Sequence, residues 1–160
     1  MGNLTYMNRL LKFFWLISLV VFFGALLLVY AFLPDRVAIH ANTAGMPDEF
    51  VARELFFWTS LLGFVGVNAL LYILRKLLLL TRRTTQSERE LALRQDVAGW
   101  LLGLAGTINF FFVLVMAFFG VFNNAEGFST GHFALLVYTG PLLLVLIFAL
   151  LAWIFIRRKG

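Results

Sequence analysis

The sequence predicts an all-α fold, a four-helix transmembrane bundle with a short extended and turning loop outside the membrane. Three observations predict it. Of the 160 residues, 62% are hydrophobic and 13% charged, with a mean hydropathy of +0.93. A soluble domain has roughly half its residues apolar and about a quarter charged. Four stretches carry no Asp, Glu, Lys, Arg or His: residues 13–33, 55–74, 97–122 and 133–156, of 21, 20, 26 and 24 residues. At about 1.5 Å per residue each spans the roughly 30 Å of hydrocarbon in a bilayer. A backbone in lipid must satisfy its own hydrogen bonds, so each stretch should be helical. The third observation is the placement of Lys and Arg, which alternates between the ends of these stretches.

The first helix, 13–33, has an apolar run longer than the usual ~7–15 residue signal core, and no small-x-small cleavage site follows it. It is expected to be retained. The connection 34–54 comes next, on the outer side. The second helix, 55–74, leads into a basic cytoplasmic segment, 75–96. There Ser87 and Glu90 have the spacing of a capping box, so the third helix should begin before its apolar run at 97–122. A short outer loop from Asn123 to His132 precedes the fourth helix, 133–156. We expect one integral membrane domain over 1–160.

Arg9, Lys12, Arg75, Lys76, Arg82, Arg83, Arg89, Arg94, Arg157, Arg158 and Lys159 lie on one predicted side, and only Arg36 and Arg53 on the other. Cytoplasmic loops carry the excess of Lys and Arg, so 11 against 2 predicts both termini in the cytoplasm. The net charge of +5 is then a matter of topology, and no nucleic-acid partner is expected. Cysteine is absent, which removes disulfides, thiolate metal sites and thiol catalysis. No catalytic triad, phosphate loop or paired carboxylate set is visible, so no enzyme is predicted.

The candidate sites are polar groups in unusual places. Asn68 and Asn109 are the most polar residues at membrane depth. They fit a solute path, which would make the chain a channel or small transporter, or an interhelical hydrogen bond of the kind that joins membrane helices. Gly99 and Gly103 form a small-xxx-small pattern that suits either a dimer face or an internal seam. Gly140-Pro141 is expected to kink or loosen the fourth helix. On the outer side, His40, His132 and the carboxylates Asp35, Asp48, Glu49, Glu54 and Glu126 are suitable ligands for a divalent metal, with His40, His132 and Asp48 as the core of such a site. Their spacing matches no metal motif. The alternative is structural, with His40 bonded inside its loop and Asp35 paired with Arg36 or Arg53. Within that loop, 37–39 suits an extended segment and 44–48 a turn, and Asp48 is placed to cap the second helix.

The order Leu33-Pro34-Asp35, His40, Asn42, Gly45, Pro47-Asp48 resembles a bacterial membrane protein family of unknown function that includes SdpI-like immunity and signalling proteins. The likeness covers roughly 13–74. Ala38, Ala41 and Glu49 depart from that pattern. The resemblance implies a multi-pass protein of the bacterial inner membrane. Its first outer loop, through Pro34, Asp35, His40, Asn42, Gly45 and Asp48, would bind a ligand or partner. Beyond membrane lipid, the expected partner is another membrane protein or a second copy of the chain.

Overall fold

The computed structural model describes residues 2–43, 46–81, 87–124 and 131–159, without the side chains of 2–8, 131–137, 158 and 159. Four helices and a β-hairpin make up this part of the chain. They follow the order α1 (Gly2–Phe32), β1 (Arg36–Ala41), β2 (Pro47–Ala52), α2 (Arg53–Leu80), α3 (Glu88–Phe122) and α4 (Gly131–Lys159). All four helices are long and apolar enough to cross a membrane. Each outruns its uncharged stretch at one end or both, because a helix that leaves hydrocarbon keeps its internal hydrogen bonds into the interface. The α3 start shows the local cause. Ser87 Oγ accepts from the Glu90 N–H, and the Glu90 carboxylate accepts from the Ser87 N–H, both at 3.3 Å.

Polarity is distributed as lipid solvent requires. Large apolar side chains point outward, with Val20 72%, Leu62 66% and Ile156 69% exposed, while Asn109 and Ser18 are fully buried. Helix α3 is the hub and packs against α1, α2 and α4. Three successive layers fill the seam between α1, α2 and α3. The first is polar: Asn68 Nδ2 donates to Asn109 Oδ1 at 2.7 Å, and Asn109 Nδ2 returns a bond to Asn68 Oδ1 at 3.1 Å. Trp15 Nε1 also donates to Asn68 Oδ1, and Asn109 Nδ2 to Ser18 Oγ, each at 2.9 Å. Next comes an aromatic layer, with Phe22 stacked on Phe64 at a centroid distance of 3.7 Å and Phe112 edge-on to both. Above it lie Leu26, Met116, Phe56 and Leu33, and the same core ends on Val37 of β1. The hairpin is thus continuous with the helix core.

Glycines set the closest helix approaches. A Cβ on Gly106 would overlap the Phe14 ring, and one on Gly140 the Phe111 ring. Gly103 faces Leu11 of α1 and Ile147 of α4, so this glycine lies in a seam within the chain. Gly63 and Gly66 face open space. Pro141 lies inside α4, which runs unbroken through it. Among the described residues, helix α4 packs on α3 alone, where Trp100 Nε1 donates to the Ile147 carbonyl at 2.6 Å.

The connection 34–54 corrects one expectation. Asp48 does not cap α2, and Asp48 and Glu49 lie in β2. The N-cap is Ala52, with no side-chain cap. Pairing with β1 gives this stretch a ladder for its backbone groups, and the chain therefore stays extended up to Arg53.

Candidate functional site

The hairpin joins α1 to α2 at one end of the bundle. Strand pairing is antiparallel, with Val37 opposite Val51, Ala38 opposite Phe50 and His40 opposite Glu49, and with register shifts on either side of His40. Such irregularities bend the strand and re-aim its side chains. Val37 and Ala38 face the core, while Ile39 and His40 turn outward.

Three fastenings hold the ribbon. At its base, the Arg53 N–H donates to the Asp35 carbonyl at 3.0 Å, and Arg53 Nη1 donates to the Leu33 carbonyl at 3.3 Å. The same guanidinium lies 3.5 Å from the Asp35 carboxylate and 5.3 Å from the Tyr30 ring centroid. Asp35 therefore takes Arg53 as its partner. At the tip, the Asn42 N–H donates to the Met46 carbonyl at 2.9 Å, and Asn42 Oδ1 accepts from the Met46 N–H at 3.0 Å. At the flank, Asn123 ends α3. Its Oδ1 accepts from the Ala38 N–H at 2.7 Å, and its Nδ2 donates to the Ala38 carbonyl at 3.1 Å and to the Phe119 carbonyl at 3.0 Å. The side-chain amide thus pairs with β1 as a neighbouring strand would.

His40 and Asp48 stand across the ribbon from each other, Nδ1 to Oδ1 at 2.6 Å. The hydrogen bond to Asp48 is the main cause that raises the His40 pKa above its ordinary 6.5, with the charges of Asp48 and Glu49 acting in the same direction. Ile39, Met46 and Phe50 of the same hairpin are also exposed. The Arg36 guanidinium lies 5.5 Å from the Phe50 ring centroid.

Of the sequence candidates, Asp35, His40, Asn42 and Asp48 share this ribbon, and Pro34 leads into it, exposed, after the end of α1. Gly45 and Glu126 lie outside the described residues, as does the side chain of His132. Among the described residues no three His, Cys, Asp or Glu groups are arranged around a metal position. Asn68 and Asn109 stand apart, in the bundle interior, with Trp15 and Ser18 as partners. Sequence reasoning passed over Asn123 as a clamp, and over Trp15 and Ser18. The only signal for Asn123 was an amide side chain just past the third apolar run.

Residues 6–64 match a family described as a domain of unknown function (DUF1648). The match takes in most of α1, the whole hairpin and the start of α2 as far as Phe64. No curated protein and no solved structure matches the chain. The chain is a multi-pass membrane protein by its four apolar helices, and its amino-terminal part resembles a family without an assigned activity.

Proposed function

We propose that the chain is a bacterial inner-membrane protein, with both termini cytoplasmic, that acts as a sensor or complex subunit by binding a partner through its outer hairpin. The observation that carries this reading is a ribbon fastened at base, tip and flank that still presents Ile39, Met46 and Phe50 to solvent. Ordering such a ribbon costs conformational entropy, and exposed apolar groups on it gain nothing until they are covered. The two-stranded sheet also leaves β2 as an edge, which can accept another strand. A photo-crosslinker placed at Phe50 in cells should give a discrete adduct, at twice the 18.2 kDa chain mass for a second copy or at another mass for a different protein. The same probe at Val145, exposed on α4, should give none. Equal adducts at both positions, or none at Phe50, overturn the reading.

A second reading has its own observation. Metal-ligating His residues commonly hold a carboxylate with their other ring nitrogen. The contact of His40 Nδ1 with Asp48 leaves Nε2 for a divalent metal, with His132 or the carboxylates completing the set. Metal analysis after gentle purification decides it. A metal that is lost in His40→Ala supports the site, and a metal-free, folded wild type removes it.

A further inference from the structure

The two edges of the hairpin are finished differently. The outer edge of β1 is closed, because both backbone groups of Ala38 bond the Asn123 amide. Those groups therefore face away from β2, so Ala38 and Phe50, opposite each other in the register, are a pair without mutual backbone bonds. In such a pair both residues turn their N–H and C=O outward. The Phe50 N–H and C=O thus point away from β1, along the far edge of β2. At the base of the ribbon the Arg53 N–H bonds the Asp35 carbonyl. That bond has the same phase and puts the Ala52 N–H on the far edge as well. Among the described residues no strand lies beyond β2, and of the helices only α2, which continues from it, packs against it.

Side-chain chemistry narrows what this edge takes. Asp48, Glu49, Phe50 and Ala52 are exposed, and β2 carries no basic residue. Asp48 already meets His40, and Arg36 reaches the Phe50 ring from β1. Arg53 is turned to the Leu33 carbonyl, the Asp35 carboxylate and the Tyr30 ring. Glu49 has no ion pair among the described residues. Glu49 and Phe50 are successive in an extended strand, so they stand on opposite faces. The open edge therefore offers an aromatic ring on one face and an unpaired carboxylate on the other, with backbone donors and an acceptor between them. Neighbouring strands gain most from apolar pairs and opposite charges placed directly across. A second β2 would bring more carboxylates and no cation, so a second copy does not supply the complement.

We propose that the β2 edge binds an extended segment of another protein, in which Lys or Arg alternates with apolar residues, as a third strand of the ribbon. The Phe50 N–H and C=O and the Ala52 N–H supply the backbone bonds. An apolar side chain of the partner covers the Phe50 ring, and a cation on its other face meets Glu49. The proposal rests on the hairpin being a recognition element, and names how it recognises and what chemistry it takes.

Titration of the full chain, in an uncharged detergent, with a synthetic peptide of alternating valine and lysine tests it. Bound peptide should slow hydrogen exchange at the Phe50 amide about tenfold and leave Val51, whose N–H faces β1, unchanged. The same peptide methylated at every backbone nitrogen should not bind, because an added strand is held through its N–H groups. A peptide of alternating valine and glutamate should bind about fivefold more weakly. Glu49→Gln should lose about fivefold for the lysine peptide, and Glu88→Gln, the same change at the start of α3, should behave as wild type. Unslowed exchange at Phe50, equal binding of the methylated peptide, or equal losses in the two variants would each overturn the proposal. So would a Phe50 amide already protected in a free chain of dimer mass, which would put a second copy on the edge. The peptide comparisons use the wild type and stand even where a variant fails to fold. If the proposal fails while Phe50 still crosslinks to a partner in cells, the hairpin binds through its side chains and only the added strand is wrong. If those crosslinks are absent too, the hairpin reading itself falls.

Discussion

Asn123 does at the residue scale what no strand is present to do. Both backbone groups of Ala38 point at its amide, and the same Nδ2 also bonds the Phe119 carbonyl. Asn123→Ala removes both bonds to the hairpin, at about 0.5–1.5 kcal/mol each. The Ala38 amide should then exchange hydrogen about tenfold faster, with helix unfolding little changed. Unaltered exchange at Ala38 would show that the clamp holds nothing. His40 gives a prediction of pH dependence. Its folded-state pKa is raised, first by the hydrogen bond to Asp48, so the pair's contribution is complete below the ordinary 6.5 and is lost as pH rises through the raised value. Titration of His40 by NMR should give an apparent pKa above 6.5, and Asp48→Asn should bring it back. An ordinary pKa in the wild type would mean that the pair does not form in solution. Both side chains are well exposed, so the pair contributes little to overall stability.

At the scale of elements, the helices are joined by fit rather than by charge. Without a hydrophobic drive between helices in lipid, close approach and buried hydrogen bonds must hold them. Gly106 beside Phe14 is one such approach, and the Asn68–Asn109 pair supplies the bonds. Gly106→Ala should destabilise the bundle by about 1–3 kcal/mol, because Phe14 has to leave a seam that it fills. Gly63→Ala, which meets nothing within 4 Å, should be close to neutral. Thermal unfolding of the two variants in the same detergent checks this, and equal effects would contradict the packing described. The hairpin is the other telling element. A two-stranded ribbon is marginal on its own, and this one persists because Val37 enters the core that α1, α2 and α3 build.

For the whole molecule, the hairpin and the Asn123 end of α3 occupy one end of the bundle, and the end of α2 with the start of α3 the other. The positive-inside rule turns that geometry into an orientation. The chain has no cysteine, so single cysteines report cleanly. A membrane-impermeant maleimide applied to intact cells should label Met46→Cys, and should reach Glu88→Cys only after permeabilisation. The reverse pattern would invert the topology.

How much of this was legible in the sequence depends on the range of the physics involved. The four helices were, because lipid demands long uncharged stretches and satisfied backbones, and both are properties of consecutive residues. The capping box at Ser87 was local too, and so was the extended stretch at 37–39. Strand β2 was misread as a turn and a cap, since Pro47-Asp48 looks like a helix start until β1 is beside it. Asn123 and Ala38 are 85 positions apart, Ser18 and Asn109 are 91, and no pattern along the chain relates them. The sequence by itself determined that the chain enters and leaves a membrane four times, because transfer into lipid is decided run by run. Only the tertiary structure decided which polar groups meet inside the bundle and what clamps the hairpin, because hydrogen bonds and close packing depend on which distant residues the fold brings together.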